Sequence, residues 1–269
     1  MTRAIERINS DLKNINKWSV SNGLKLNINK CSVMHIAPDN VLQSLNESEI
    51  AVILDGQCLS ITKKTKTLGV VLDSGLTFTD HVTYTIQKAL GRLKGLYRHK
   101  EFLPEGSKLT IIQSLILSVF LYCYPAYGNS ISKRDIERIQ KLQNTALRFV
   151  YSLKKSAHVS PYRILAQLYP MDVACIILTN CMVHKILALK KPEYLSVRLQ
   201  PREEVSQRSS RQNRMLHFPK VRLEAGRKSF SYFGPKLYNE LPDPIKCLSC
   251  PSFKMRVKEI FWEHFVHNL

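Results

Sequence analysis

Thr67-Leu68-Gly69-Val70-Val71-Leu72-Asp73-Ser74-Gly75-Leu76-Thr77-Phe78-Thr79-Asp80-His81-Val82 is the stretch on which the fold turns. Its first half, Leu68 to Leu72, reads as a short strand, and Asp73-Ser74-Gly75 is a turn signal that closes it. Its second half carries Thr79 and Asp80, either of which can cap a helix. Strand signals lie before this junction and nearly vanish after it. The pattern predicts an α+β chain whose character changes near residue 77.

Upstream, Ile5, Ile8, Leu12, Ile15 and Trp18 recur at spacings of three and four, the mark of one helical face, and Asn22-Gly23 supplies a left-handed stop. Leu24, Leu26 and Ile28 then alternate with Lys25 and Asn27 as a strand would, and Val33 to Ile36 can pair with them. Asp55-Gly56, set between two apolar runs, is a hairpin signal.

Downstream, a helix is expected to carry Val82, Ile86, Leu90, Leu93 and Tyr97 inward, with Lys88/Arg92 and Lys94/Arg98 as basic pairs outside. A second runs from about Ser107 to Tyr124, and a third, with Ile139, Leu142, Ala146 and Phe149 inward, follows Lys133-Arg134. Ser160-Pro161 and Pro170-Met171 open two more, the latter reaching about Leu189. Residues 191–228 then bring prolines, a Gln/Ser/Arg run and the cations Arg208, Arg211, Arg214, Lys220, Arg222, Arg227 and Lys228, which read as a basic linker or arm. Residues 229–269 form a small aromatic-rich unit. The expected organisation is 1–77 small and antiparallel, 78–190 a helical bundle, and then this basic C-terminal extension.

The 269 residues suffice for a sizeable core, and 40 Lys+Arg against 21 Asp+Glu give a formal charge of +19. The first sixty residues are neutral, with 6 charges of each sign, whereas 61–100 hold 8 basic against 2 acidic and 161–230 hold 13 against 5. A polyanion is therefore expected against the middle of the chain. Seven scattered cysteines, several inside apolar runs, fit a reducing compartment, and no apolar leader precedes Ile5, so an intracellular location, nuclear or cytoplasmic and not secreted, is expected. Residues 109–132 carry no charge, but Thr110, Gln113, Ser114, Ser118 and Pro125 interrupt them, so they read as a buried bundle helix and no membrane partner is expected.

Candidate chemistry is sparse. Cys247-x-x-Cys250 with His264-x-x-His267 supplies four possible zinc ligands, yet the histidine spacing is short and no finger-type hairpin precedes the helix; an incidental origin is the stronger reading. No phosphate loop, nucleophile elbow, His-Glu-x-x-His run or dinucleotide fingerprint is present. Nor does any Asp-Asp pair occur. Asp73, Asp80 and His81 form the one close titratable group before the bundle, and they read as turn and capping residues.

Several segments together resemble the reverse transcriptases of LINE-type, non-LTR retrotransposons of the jockey-like class. Trp18-Ser-Val-Ser-Asn-Gly-Leu-Lys-Leu-Asn-Ile-Asn-Lys30-Cys-Ser32 is similar to the palm segment after the catalytic hairpin, and Lys30 matches a lysine near the incoming nucleotide. Thr67 to Asp73, with Leu76 to Phe78 and His81-Val82, resembles the hairpin that grips the primer end, which singles out Leu68, Gly69 and Val70. The helices beyond would be the thumb, which packs on the product duplex. Ser229 to Ile245 is similar to a sequence common after that thumb.

The resemblance implies an RNA-directed DNA polymerase, with magnesium as the intact family's cofactor and nucleic acid, an RNA:DNA hybrid or duplex, as partner. It also implies that the three metal-binding aspartates lie in a palm segment these residues do not contain. The expectation is therefore a truncated C-terminal part, a palm remnant with thumb and extension, needing no cofactor itself, with the absent palm and fingers as a further candidate partner, and inactive alone. Lys30 could at most assist pyrophosphate departure as a general acid. Two alternatives stand beside it: a retained nucleic-acid-binding module using thumb and arm, and a relic without function, which predicts exposed apolar surface.

Overall fold

The computed structural model describes residues 2–44, 51–205 and 215–267. It is an α+β structure with short strands and a large helical part, and it divides into two compact units, Met1–His81 and Val82–Leu269.

In the first unit, helix α1 (Thr2–Ser21) leads to a 3₁₀ turn at Ile28–Lys30, strand β1 (Ser32–Val33) and a short helix α2 (Asp39–Gln43). Strands β2 (Ile53–Leu54) and β3 (Gln57–Cys58) form an antiparallel hairpin with Asp55 and Gly56 both at positive φ (49° and 78°), as an Asp-Gly turn requires. Strand β4 (Ser60–Ile61) pairs parallel to β1, and β5 (Lys64–Thr67) pairs antiparallel to β6 (Val70–Asp73) around Leu68-Gly69. Val52, Leu54 and Leu59 make the core, covered by Ile5, Leu12, Leu26 and Ile28.

Several sequence readings change here. Leu68 and Gly69, expected in a strand, form the β5–β6 turn, and the β1–β4 pair is parallel in a unit expected to be antiparallel. Leu24 to Ile28 form no strand: Leu26 and Ile28 reach the core while Asn27 passes the chain into the 3₁₀ turn, and of the expected partner Val33 to Ile36 only Val33 is paired, within Ser32–Val33. The inner face of α1 is rotated from the apolar stripe. It is set by Asn9, whose amide accepts from Ile53 N–H at 2.9 Å and donates to Ala51 carbonyl at 3.1 Å, so a side chain completes the edge of β2. Ser19 is consequently buried, while Ile8, Ile15 and Trp18 face outward at 45%, 49% and 61% exposure.

The helices of the second part begin with α3 (Thr79–Tyr97), which spans the boundary between the units. Its buried positions are His81, Val82, Thr85, Ala89 and Leu93; Leu90 and Tyr97, expected inward, are exposed because Thr85 and Ala89 place the contact face a step further round. The second expected helix is broken into α4 (Glu105–Ile111), a π turn (Ile112–Leu117), α5 (Ser118–Leu121) and α6 (Tyr124–Tyr127), with Cys123 left-handed at φ 54°. Thr110, Ser114 and Ser118 hydroxyls each donate to the carbonyl four residues back, a competition for helix acceptors that distorts the ladder. By length and composition 105–127 and 171–189 could each cross a membrane. In this fold both supply core residues, among them Ile112, Ile116, Phe120, Tyr124, Ile177 and Val183.

Helix α7 (Lys133–Val150) buries Ile139, Leu142, Ala146 and Phe149 as expected, and Ser132 caps it by accepting from Asp135 N–H. The short α8 (Ser160–Leu165) precedes α9 (Met171–Leu189), which is apolar all round and packs against α10 (Glu193–Ser196), α13 (Phe230–Asn239) and α15 (Cys250–His267). Between these lie α11 (Arg202–Val205), α12 (Glu224–Lys228) and α14 (Asp243–Lys246). The aromatic-rich end is not a separate unit: Tyr238, Leu241, Ile245, Phe253 and Val257 share one core with Ile177, Val183 and Ile186 of α9. Nor is 191–228 a free arm where it is described. Leu199 and Leu216 are buried in that same core, and the Asn239 amide holds Leu216 by both its N–H (2.8 Å) and its carbonyl (2.9 Å).

Candidate nucleic-acid interface

Helix α3 carries Lys88, Arg92 and Lys94 of the four basic side chains that the sequence singled out, Arg98 follows in the turn after it, and all four are exposed. At about 100° per residue, Lys88 and Arg92 lie on one flank of α3 and Lys94 on the side away from the core. Arg92 has a second task, invisible in the sequence. Its guanidinium donates to Leu115 carbonyl at 2.7 Å, inside the π turn where the regular ladder is disturbed. Of the remaining cations, Lys220, Arg222 and Arg227 are exposed and Lys228 is half-buried at the end of α12. Arg208, Arg211 and Arg214 lie outside the described residues.

In the first unit, Lys30 is exposed at the end of the 3₁₀ turn. Leu68 and Gly69 occupy the tip of the β5–β6 hairpin at φ 47° and 87°, and Leu68 is 86% exposed. Left-handed geometry at both central positions matches the twist of the flanking strands, but it is a costly conformation for leucine. Val70 opens β6.

The neighbouring carboxylates are committed to the fold. Asp73 accepts from Thr77 N–H (2.9 Å) and Phe78 N–H (2.7 Å), closing the turn before α3. Asp80 pairs with Lys64 at 2.8 Å, and His81 Nδ1 accepts from Val71 N–H at 3.3 Å. Burial, with help from the Lys66 charge, holds the His81 imidazole below its usual basicity. A pair of magnesium ions needs clustered carboxylates that hold them about 3.5–4 Å apart. Among the described residues no group of three or more His, Cys, Asp or Glu could hold a metal ion. These residues do not fit the polymerase metals.

The four possible zinc ligands do not converge either. Cys250 begins α15 and His264 lies fourteen residues along it, a separation of about 21 Å at 1.5 Å per residue. His267 bonds instead to Glu263 carbonyl at 2.7 Å. The buried histidine that sequence reading missed is His184: it stacks on Phe253 at 3.8 Å, with Nδ1 2.9 Å from the Tyr238 hydroxyl and Nε2 3.0 Å from Leu248 carbonyl. Since a carbonyl only accepts, Nε2 carries the proton and Nδ1 accepts from the tyrosine. Its role is structural.

No family model matches the chain, and no solved structure does. Curated proteins do. The chain is 24% identical over 151 residues to the RNA-directed DNA polymerase from mobile element jockey of Drosophila funebris, covering 55% of this chain and 16% of that protein. It is 29% identical over 118 residues to the probable RNA-directed DNA polymerase from transposon BS of Drosophila melanogaster, covering 43% and 13%. The jockey polymerase of Drosophila melanogaster is 28% identical over 136 residues, covering 49% and 14%. The chain is a relative of retrotransposon RNA-directed DNA polymerases. More narrowly, its relatives are of the LINE type, non-LTR elements of the jockey and BS kind. The aligned stretch spans about one sixth or less of the length of these relatives.

Proposed function

We propose that the chain is the nucleic-acid-gripping part of a retroelement RNA-directed DNA polymerase, which holds an RNA:DNA hybrid or duplex through its basic helical surface, and that its 269 residues do not polymerise unaided. What carries the reading is the set of four exposed cations on α3 and the turn after it, in a chain similar to polymerases. Lysine and arginine on phosphates supply sequence-independent affinity, as a protein gripping any primer and template requires. The second half follows from the chemistry of the donors: no Asp-Asp pair occurs in the sequence, and Asp73 and Asp80 are occupied by backbone N–H groups and by Lys64. A lone general acid such as Lys30 contributes about 10²- to 10⁴-fold, far short of a polymerase's acceleration.

Fluorescence anisotropy with a labelled RNA:DNA hybrid across a salt series tests the grip. The logarithm of affinity is expected to fall linearly with that of salt, at about 0.9 per phosphate contacted on B-form DNA; no saturable binding at low salt would overturn it. Primer extension with magnesium, template, primer and deoxynucleotides tests the second half, and elongation by pure protein would show it wrong. The relic reading has one observation in its favour, the outward stripe of Ile8, Ile15 and Trp18, and saturable, salt-sensitive binding would remove it.

A further inference from the structure

The second unit contains a cleft of about 390 Å³, separate from the cations of α3. It lies where the π turn, the loop after α8, and α9 and α15 meet. Leu117 of the π turn, Tyr169, Gln113, Gln167, Lys254 and Lys258 are among the residues that line it. The aromatic is fixed at two points, since its hydroxyl donates to Lys258 carbonyl at 2.8 Å and its ring meets Trp262 edge to face at 5.3 Å. Neither glutamine amide is bonded to a described residue, and neither lysine is paired with a described carboxylate.

Two further features set these groups in place. The π turn is a rare form that recurs at binding sites, and it is what gives Gln113 and Leu117 their positions on α4–α5. Gln167 is left-handed at φ 50° as the residue that closes α8: its N–H bonds Ile164 carbonyl at 2.9 Å, and Leu168 N–H bonds Arg163 carbonyl at 3.1 Å. Glycine is the ordinary occupant of such a position. A glutamine there accepts strain at a position that lines the cleft.

We propose that this cleft holds one nucleotide of a single strand, its base against Tyr169 and Leu117, its edge bonded to Gln113 and Gln167, and its flanking phosphates at Lys254 and Lys258. The volume is near the lower end for ligand pockets, of the order of 300 Å³ and upward, so it suits one base and no duplex. A rigid aromatic with adjacent cations is the general means of holding unpaired nucleotides. Amides match the mixed donors and acceptors of a base edge, which a fatty carboxylate lacks. The proposal rests on the nucleic-acid reading above and adds to it an unpaired strand and a place for it.

The test compares a blunt RNA:DNA hybrid with the same hybrid bearing a five-thymidine extension, on the full chain, by anisotropy. The extended probe should bind about tenfold more tightly, in line with stacking of one base. Lys254→Gln with Lys258→Gln should remove most of that advantage and lower the salt slope for the extension by about 0.7 for each phosphate no longer neutralised. Gln167→Gly, which relieves the left-handed strain and so keeps the fold, should reduce the advantage too. Equal affinity for both probes overturns the cleft and leaves the proposed function intact, and binding of neither overturns both. An advantage that survives these substitutions places the strand elsewhere and overturns the cleft. Thymidine monophosphate competing as well as the extension assigns it to a free nucleotide and also overturns it.

Discussion

Two residues show how narrowly single positions are set. Gly128 has an ordinary φ, so its need is steric: a Cβ there would stand 2.5 Å from Cys175 Sγ and 2.7 Å from the Tyr124 ring, where α6 meets α9. Gly128→Ala is expected to destabilise the second unit by about 1–3 kcal/mol, the usual range for an overpacked core, as read from urea unfolding. Leu68 is the opposite case. An exposed leucine at φ 47° works against stability, and Leu68→Asn should stabilise the hairpin by up to about 1 kcal/mol. A rise in the thermal midpoint with loss of affinity for hybrid is what a primer-grip role for Leu68 requires; unchanged affinity would remove that role.

Among elements, α3 and the π turn are joined by Arg92. Lys88→Ala should weaken hybrid binding and leave the thermal midpoint unchanged, whereas Arg92→Ala should lower both, because Leu115 carbonyl loses its donor. Equal midpoints for the two variants would show the bond to be idle. The α9–α13–α15 core has a pH response through His184, which burial holds below its ordinary value of 6.5. The unfolded chain therefore takes up a proton at a pH where the folded chain does not. The stability contributed by the neutral ring is complete above about pH 6.5 and declines as the pH falls below it toward the lower folded value. Denaturant midpoints across pH 5 to 7.5 should show that decline, reduced in His184→Gln; an identical decline in both would assign it to other groups.

For the molecule as a whole, the sequence was legible where local chemistry decides. Asp55-Gly56 dictated its hairpin, and the spacing of Ile139, Leu142, Ala146 and Phe149 dictated the inner face of α7. It was illegible where a distant polar group decides. Asn9 turned α1 by capturing β2, hydroxyl back-bonding opened the π turn, and Asn239 drew Leu216 out of an apparent linker into the core. The cleft was equally hidden, because residues as far apart as Gln113 and Lys258 line it. The apolar stripe of α1 faces outward for the same reason as the first of these. Trp18→Ser with Ile15→Asn is expected to reduce self-association in light scattering without lowering the thermal midpoint, and a lowered midpoint would show that the stripe is packed.

The clamp on Leu216 has a consequence for how the basic segment can vary. Arg202 N–H bonds Met215 carbonyl at 2.9 Å and His217 N–H bonds Gln200 carbonyl at 2.8 Å, so the chain on either side of residues 206–214 is fastened into a stem. Because these are backbone bonds, side-chain substitutions on either strand of the stem leave them in place, and the seal over the core does not depend on which residues the stem carries.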